Sequence, residues 1–306
     1  MIVPGFRGSG GNSIFNSQRL PTPFDLPSRG LLSLRVSRTV RRLTQSNLRS
    51  WLPVVRKGGP VVSLTSYGKR VETVHLAIES IASGRLLPSR LVLWLDDADI
   101  IQNPPEPLIR LKERGLEVCF AKDYGPHKKY YPYIESVDEF GLPLVTADDD
   151  VLYPIYWLER LVRAYEDRPD LINCYRARVV GLEAVGLRPY NDWPMCDSTE
   201  PTILNFATGV SGVLYPPEFL AVLKESGSAF ESCCPRADDI WLHVRALRSG
   251  YKVRQVVRRK DLHFPSIPGT QNTSLYHSNR QLGNDHQAAM TYSQGDIDTL
   301  RRLVHP

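Results

Sequence analysis

The segment PLVTADDDVLYP, residues 143–154, places three consecutive aspartates directly after a short apolar run. The apolar run is typical of a buried strand. Burying even one carboxylate costs free energy unless a positive charge compensates it. Asp148, Asp149 and Asp150 therefore form either a solvated turn or a site where a cation belongs, and their position after a strand favours the cation.

Apolar runs suited to strands alternate with segments of helical periodicity on both sides of this triplet. Strands are predicted within residues 60–70, 90–95, 116–121 and 142–147, and helices within residues 70–84, 105–115, 125–141 and 154–167. Alternation at this short spacing is typical of an α/β domain in which helices flank a mostly parallel central sheet.

Polar clusters follow these predicted strands. They occupy residues 65–70, 96–99, 123–129 and 148–150. In parallel sheets, ligands bind beyond the carboxyl ends of the strands, which share one edge. We therefore expect four separate segments of the chain to deliver polar groups to a single site.

The second half of the chain has a less regular pattern. Its predicted elements are a strand within residues 201–217, a helix within residues 235–250 and a strand within residues 251–257. Gly209 and Gly212 lie where the backbone approaches a ligand or turns tightly. The chain beyond is expected to form a loop-rich tail, residues 263–306, that packs on or near the site.

The net charge of +5 is unevenly distributed, because the first sixty residues hold ten Lys and Arg and a single acid. Residues 1–59 are predicted to be a flexible basic leader, with a small amphipathic helix over residues 31–43. Such a helix either lies on an anionic membrane surface or docks on the domain with its basic face in solvent. A nucleic-acid binder would spread basic residues over its folded body, so no nucleic-acid partner is predicted.

The five cysteines are odd in number and show no Cys-x-x-Cys spacing. This usage favours reduced thiols and a cytoplasmic protein. The sequence also lacks a Walker phosphate loop, a Gly-x-Gly-x-x-Gly fingerprint after the first strand and a Gly-x-Ser-x-Gly elbow. Hydride chemistry on a dinucleotide, Walker-type ATP use and serine hydrolysis therefore lose support.

The candidate chemical groups each have two interpretations. The triplet could bind Mg2+ or Mn2+, which prefer carboxylate oxygens, with Asp148 and Asp150 on one side if the chain stays extended. Asp238 and Asp239 open a helix. Either they are there because the helix dipole favours acidic residues at this end, or one of them is a general base. The pair Lys128–Lys129 either holds a diphosphate or is an ordinary solvated pair. One of the late histidines, His263, His277 and His286, could complete a metal site.

In order, these motifs resemble those of family-2-like glycosyltransferases of the GT-A fold, of the bacterial polysaccharide type, over residues 60–257. The stretch VVSLTSYGKRVETVHLAIESI is similar to the donor-binding first strand and helix, and VTADDDVLYP to the Asp-x-Asp element. GVSGVLYPP is similar to the acceptor-side strand, and RADDIWL to the acidic helix start. GPHKK matches a turn that precedes the Asp-x-Asp strand in related transferases.

This resemblance implies a GT-A domain over residues 60–262, with a nucleotide-binding half, 60–150, and a smaller acceptor half, 151–262. It implies Asp239 as catalytic base with Asp238 as its neighbour. The implied donor-binding residues are Thr65, Tyr67, Arg70, Asp97, Lys129, Asp148 and Asp149. The implied ligands of a Mn2+ or Mg2+ ion are Asp150, Asp148 and, as a weaker choice, His263.

The implied activity is transfer of a sugar from a nucleoside-diphosphate sugar to a glycan or lipid-linked acceptor, with inversion at the anomeric carbon. The basic helix would then hold a cytoplasmic enzyme at the inner face of a membrane. Two alternatives stay open at this point: a nucleotidyltransferase that makes a sugar nucleotide, and a non-catalytic module that binds carbohydrate or nucleotide.

Overall fold

The computed structural model describes residues 29–184, 186–259, 264–270 and 283–304. Within them, seven strands form one sheet. They are β1 (Val61–Thr65), β2 (Arg90–Leu95), β3 (Leu116–Phe120), β4 (Leu144–Ala147), β5 (Ile172–Cys174), β10 (Val213–Tyr215) and β11 (Val253–Gln255). Their order in the sheet is β11-β5-β10-β4-β1-β2-β3. The mostly parallel α/β architecture with flanking helices is confirmed.

The remaining strands form two small ribbons. They are the pair β6 (Ala177–Val179) and β9 (Asn205–Ala207), and the pair β7 (Leu182–Glu183) and β8 (Gly186–Leu187). The helices are α1 (Arg29–Arg49), α2 (Val74–Ala82), α3 (Ala98–Gln102), α4 (Glu106–Glu113), α5 (Tyr131–Ser136), α6 (Trp157–Asp167), α7 (Pro217–Glu225), α8 (Phe230–Cys233), α9 (Asp238–Arg248), α10 (Gly283–Thr291) and α11 (Gln294–Val304).

Successive residues of the central strands face opposite layers, as strand geometry requires. In β2, Leu91 and Leu93 pack with the apolar residues of α2, α4 and α6. Val92 and Trp94 of the same strand pack with a second cluster that includes residues of α5, α7 and α9. The sheet is therefore buried on both faces, which leaves its strand ends as the place where polar groups gather.

Strand β10 alone runs against its neighbours in this described sheet. It pairs antiparallel with β4 on one side and with β5 on the other, whereas the other pairings are parallel. Because of this reversal, the residues that enter β10 lie beside the residues that leave β4. The acceptor-half segment with Gly209 and Gly212 is thereby brought to the aspartate triplet.

Helix α1 packs on the α/β body. Its residues Val36, Val40 and Leu43 contact an apolar cluster that includes Leu76 of α2. Further along the helix, Asn47 Nδ2 donates to Glu79 Oε1 at 3.2 Å. Arg35, Arg38, Arg41 and Arg42 are exposed. The helix is longer than the predicted 31–43, and these contacts are those expected of the docking interpretation.

Two local expectations differ from the structure. The tail is not loop-rich throughout, because α10 and α11 occupy most of its described part. Helix α6 begins at Trp157 rather than at Pro154, whose carbonyl instead accepts from the Trp157 N–H and closes a turn. In the part of the chain that the structure describes, no helix is both long and apolar enough to cross a membrane.

Candidate functional site

Arg70 connects the first strand to the aspartate triplet. It lies in the 3-10 helix Gly68–Glu72, which directly follows β1, and β1 pairs with β4. Its Nη1 lies 2.7 Å from Asp149 Oδ1 and its Nη2 lies 2.7 Å from Asp150 Oδ2. The Ser66 hydroxyl donates to Asp149 Oδ2 at 2.6 Å. The positive charge that the sequence required beside these two buried or half-buried carboxylates is therefore a guanidinium.

Asp148 forms an ion pair with a different residue, Lys129. Its Oδ1 lies 2.5 Å from Lys129 Nζ, and its Oδ2 accepts from the Ser211 N–H at 3.0 Å. The chain bends at Asp149 and Asp150, so the extended geometry that would set Asp148 and Asp150 together on one side does not persist. Asp149 and Asp150 share Arg70 instead. The bend lets the triplet reach two cations that come from different segments of the chain.

Ser211 holds Asp148 from a strained position. Its φ of 74° is the one positive value among the described residues other than glycine. The Trp157 Nε1–H donates to the Ser211 carbonyl at 2.8 Å and fixes this conformation. Strain of this kind persists where surrounding contacts over-determine it, and it is often found at functional sites. Here it aims the Ser211 N–H at a carboxylate.

Lys129 also faces the acidic pair at the start of α9. The Gly209 N–H donates to Asp239 Oδ1 at 2.8 Å. A methyl group in the Cβ position of Gly209 would lie 3.0 Å from Asp239 Oδ1 and 3.5 Å from Lys129 Nζ. Gly209 therefore allows the backbone to approach both charged groups, and the two acidic sites predicted from sequence meet around Lys129.

Burial and charge set the protonation of this cluster. Burial, together with the neighbouring Asp238 carboxylate, raises the pKa of Asp239 to about 8, although Lys129 acts in the opposite direction. Burial disfavours the charge of Lys129, but Asp148 and Asp238 outweigh it and raise the pKa of the lysine. A carboxyl group with this pKa is mostly protonated at neutral pH and becomes able to accept a proton as the pH rises through about 8.

A pocket of about 230 Å³ opens beside Asp239. Its wall includes Lys129, Asp238 and Asp239, together with Arg176, Arg178 and Tyr190. The tail also reaches it, since Asn284 of α10 lines the pocket and Asp285 accepts from the Tyr190 N–H at 2.6 Å. Two residues at the start of α10 thus lie at the pocket or contact its wall.

The other predicted donor-side residues lie at the same strand edge with structural contacts of their own. The Thr65 hydroxyl donates to the Trp94 carbonyl at 2.9 Å, and the Tyr67 ring lies 5.5 Å from the Arg70 guanidinium. Asp97 is exposed and caps α3 through the Asp99 N–H at 3.0 Å. This capping contact accounts for an aspartate at position 97 without any ligand.

Lys128 and Lys129 have different surroundings. Lys128 is buried and pairs with Asp96 and, at 3.0 Å, with Asp123. Lys129, by contrast, is on the wall of the pocket. Lys128 therefore joins the ends of β2 and β3, and Lys129 remains the candidate for contact with a substrate.

Sequence reasoning missed several residues of the site, namely Ser66, Asp96, Arg176, Arg178 and Ser211. Ser66 and Asp96 fall inside clusters that the strand-end argument had already singled out. Arg176 and Arg178 belong to no recognisable motif, and only the β6–β9 ribbon brings them to the pocket.

A divalent ion has limited means of binding here. Among the described residues, no group of three or more His, Cys, Asp or Glu side chains is arranged to hold a metal. Both oxygens of Asp148 are engaged, and the Asp149 side chain is only 4% exposed, against 18% for Asp150. Asp150 fits the role of a single carboxylate ligand, which suffices for Mg2+ when phosphates complete the shell. His263 lies outside the described residues.

Several solved structures share features of this architecture. GalNAc-T7, solved with UDP, GalNAc and Mn2+, is 12% identical with a TM-score of 0.46, over 83% of this chain and 56% of its own. S. aureus TarS 1–349 is 14% identical with a TM-score of 0.45, over 78% of this chain and 68% of its own. The CMP:2-keto-3-deoxy-manno-octonic acid synthetase, solved with CTP, is 12% identical with a TM-score of 0.39, over 64% of this chain and 88% of its own.

This chain thus spans little more than half of the GalNAc-T7 chain. Neither a protein-family profile nor a curated protein matches the sequence. At TM-scores below 0.5 and identities of 12–14%, these similarities carry no argument about this chain. The function has to be argued from the residues of the site.

Proposed function

We propose that this protein is a GT-A-type glycosyltransferase that moves a sugar from a nucleoside-diphosphate sugar to a hydroxyl group of a glycan or lipid-linked acceptor. The observation that carries the proposal is the Lys129 side chain. It lies between Asp148 at the end of β4 and the Asp238–Asp239 pair at the start of α9. A cation suited to a diphosphate and a carboxyl suited to a base are thereby held side by side.

In this proposal the donor lies along the polar edge. Its nucleoside contacts the segment with Thr65 and Tyr67 and the region of Asp97, and its diphosphate approaches Arg70 and Lys129. These cations favour the negative charge that develops on the departing diphosphate. Because they are already held by carboxylates, little reorganisation is needed during the reaction.

Asp239 would act on the acceptor from the adjoining pocket. The acceptor oxygen attacks the anomeric carbon, the bond from that carbon to the diphosphate oxygen breaks, and the hydroxyl proton passes to Asp239. The nucleoside diphosphate leaves with the electron pair of the broken bond. A single displacement of this kind inverts the anomeric centre, and a retained anomer in the product by NMR would overturn the inverting mechanism.

A Mn2+ or Mg2+ ion would be held at this site through Asp150. A bound ion would neutralise charge on the leaving group. Residues of the chain position the other groups. Arg70 forms an ion pair with Asp150, Lys129 forms one with Asp148, and the Gly209 N–H orients Asp239.

Membrane association is a separate part of the proposal. The four exposed arginines of α1 are joined at its end by Trp51, 87% exposed, and by exposed Leu48 and Leu52. Basic residues beside exposed apolar side chains favour an anionic lipid surface. A full-length protein that binds anionic and neutral vesicles equally, or keeps its binding after substitution of these arginines, would exclude this role.

The decisive experiment is calorimetric titration with UDP, GDP, CDP and dTDP, each with and without Mn2+. We expect tight binding of one nucleotide, stronger with Mn2+ and weakened in Asp150→Ala. A matched control is Asp170→Ala, which removes an exposed carboxylate paired with Arg168 away from the site. No nucleotide binding by the folded protein would refute the proposal. With substrates, release of pyrophosphate rather than a nucleoside diphosphate would indicate a nucleotidyltransferase instead.

A further inference from the structure

Two half-buried guanidinium groups on the pocket wall have no carboxylate partner among the described residues. Arg176 lies between β5 and β6, and Arg178 lies in β6. Among the described residues, neither forms an ion pair with a carboxylate within 4.0 Å, whereas Lys129 and Arg114 each have one at 2.5 Å. Both arginines line the pocket beside Asp239.

The contacts of these arginines hold them in place without neutralising them. Arg178 Nη1 donates to the Trp193 carbonyl at 2.6 Å, and its guanidinium lies 5.1 Å from the centre of the Tyr190 ring. In the described part of the chain, the side-chain hydrogen bond of Arg176 runs from Nη2 to the Met195 sulfur, at 3.9 Å. A guanidinium carries five N–H donors, so most of their donor capacity is left for another molecule.

Their proximity is unfavourable unless an anion is present. Burial, together with the neighbouring Arg178 charge, lowers the pKa of Arg176. Two like charges in a half-buried wall repel each other, and desolvation adds to the cost. A carboxylate or phosphate group placed between them would offset both effects and accept paired hydrogen bonds.

A hydrogen-bond acceptor that needs a donor lies elsewhere on the same wall. Asn284 Oδ1 is buried and has no hydrogen-bond donor among the described residues. It lines the pocket together with the arginines. The pocket thus offers N–H donors for an anion and an acceptor for a hydroxyl group, and an acidic sugar carries both kinds of group.

The acidic residues of the pocket do not serve as this anion. Asp239 accepts from the Gly209 backbone, and its raised pKa shows that its own charge is disfavoured. Neither Asp238 nor Asp239 lies within ion-pair distance of Arg176 or Arg178, although Asp239 acts on Arg176 at longer range. The pocket therefore suits two different groups: a reacting hydroxyl at Asp239 and a fixed negative charge at the arginines.

Resting on the proposed function, we propose that Arg176 and Arg178 select an acceptor whose terminal sugar carries a negative charge, either a carboxylate or a phosphate. Asn284 Oδ1 then accepts a hydrogen bond from a hydroxyl group of the same sugar. The arginines are specificity-determining residues in this assignment, and Asp239 remains the base. A neutral sugar would leave both guanidinium groups unpaired.

The test compares D-glucuronate and D-glucose 6-phosphate with D-glucose by saturation-transfer NMR and calorimetry on the full chain. We expect the anionic sugars to bind about tenfold or more tightly, the size expected for a hydrogen-bonded charge pair. The preference should weaken with added salt and disappear in Arg176→Gln and Arg178→Gln. Arg163→Gln, which removes an exposed arginine of α6, is the matched control and should leave it unchanged.

Any of three results would overturn this inference. The three sugars bind equally, the anionic sugars do not bind to the folded protein, or both arginine variants keep the preference. A further arm compares UDP-glucuronate with UDP-glucose. If only the sugar nucleotide loses affinity in the arginine variants, the charge belongs to the donor and the acceptor assignment is wrong. Nucleotide titrations on the same samples distinguish failure of this inference from failure of the proposed function. If the nucleotide still binds, the proposed function is retained.

Discussion

Lys129 Nζ lies 2.5 Å from Asp148 Oδ1, while the same lysine lowers the pKa of Asp239 on the other side of the site. Asp148 comes from the first half of the chain, and Asp239 from the second. One lysine therefore connects the end of β4 with the start of α9. Changes at this lysine or in the backbone around it should therefore affect both halves of the site.

Replacing Lys129 with methionine should affect rate and pH dependence together. Loss of one positioned cation at a reacting site typically lowers kcat by about 10²–10³-fold. The pKa of Asp239 should rise further, because the charge that lowers it is gone. Single-turnover rates from pH 6 to pH 10 measure both effects. The control is Lys122→Met, since Lys122 is exposed and pairs with Glu231; a rate loss there of similar size would refute the assignment.

The rate of transfer should rise with pH, because Asp239 must be ionised to accept a proton and its pKa is raised to about 8. Asp238 is a cause of this increase, so Asp238→Asn should move the rising limb to lower pH. Lys129 and Asp148 also face Asp239, and their charges are unchanged in this variant. A profile of kcat/KM against pH checks the direction; a limb that stays in place or moves upward would contradict the role of Asp238.

Asp239→Asn should stop catalysis and stabilise the protein. The folded-state pKa is raised above the unfolded value, so the wild type loses stability as the pH rises from about 4 through about 8. An asparagine avoids that loss and still accepts from the Gly209 N–H. The gain should be on the order of 1 kcal/mol or more at pH 9 and vanish at pH 4. Urea unfolding at both pH values measures it, and a gain that is the same at both would rule out ionisation as its cause.

Gly209 and Gly212 should respond differently to alanine. At Gly209 the added methyl crowds Asp239 Oδ1 at 3.0 Å, so activity should fall more than stability. Gly212 has a φ of 104°, and a Cβ there would meet the Trp157 ring at 2.8 Å, so Gly212→Ala should destabilise by about 1–3 kcal/mol. Gly141→Ala has open space and serves as the control. Thermal unfolding and single-turnover rates, measured on all three, separate the two effects.

The sequence predicted the main elements because their periodicity is strong. Strand β2 was expected at residues 90–95 and is found at Arg90–Leu95, and the polar strand ends meet as the parallel sheet requires. Periodicity cannot choose between neighbours of equal chemistry. Both aspartates 96 and 97 follow β2, yet only Asp96 faces Lys128, because Asp97 caps α3.

Long-range contacts set the remaining features. The bend at Asp149 and Asp150 accompanies ion pairs with Arg70 and Lys129, which come from earlier segments of the chain. The arginine pair of the pocket depends on a short antiparallel ribbon without strong alternation. Local patterns carry no information on such contacts, so they could be found only in the folded structure. The metal ligands and the substrate roles of the site residues stay predictions.

The reversed strand β10 has a consequence for synthesis of the chain. Strand β5 precedes β10, yet within the described sheet β5 pairs only with β10 and β11. A ribosome-bound chain that ends before β10 can assemble β4-β1-β2-β3, which leaves β4 as an open edge. Open edges are templates for pairing with other chains, and adjacent charges oppose such pairing. The edge of β4 therefore closes only when β10 has been synthesised and pairs with it.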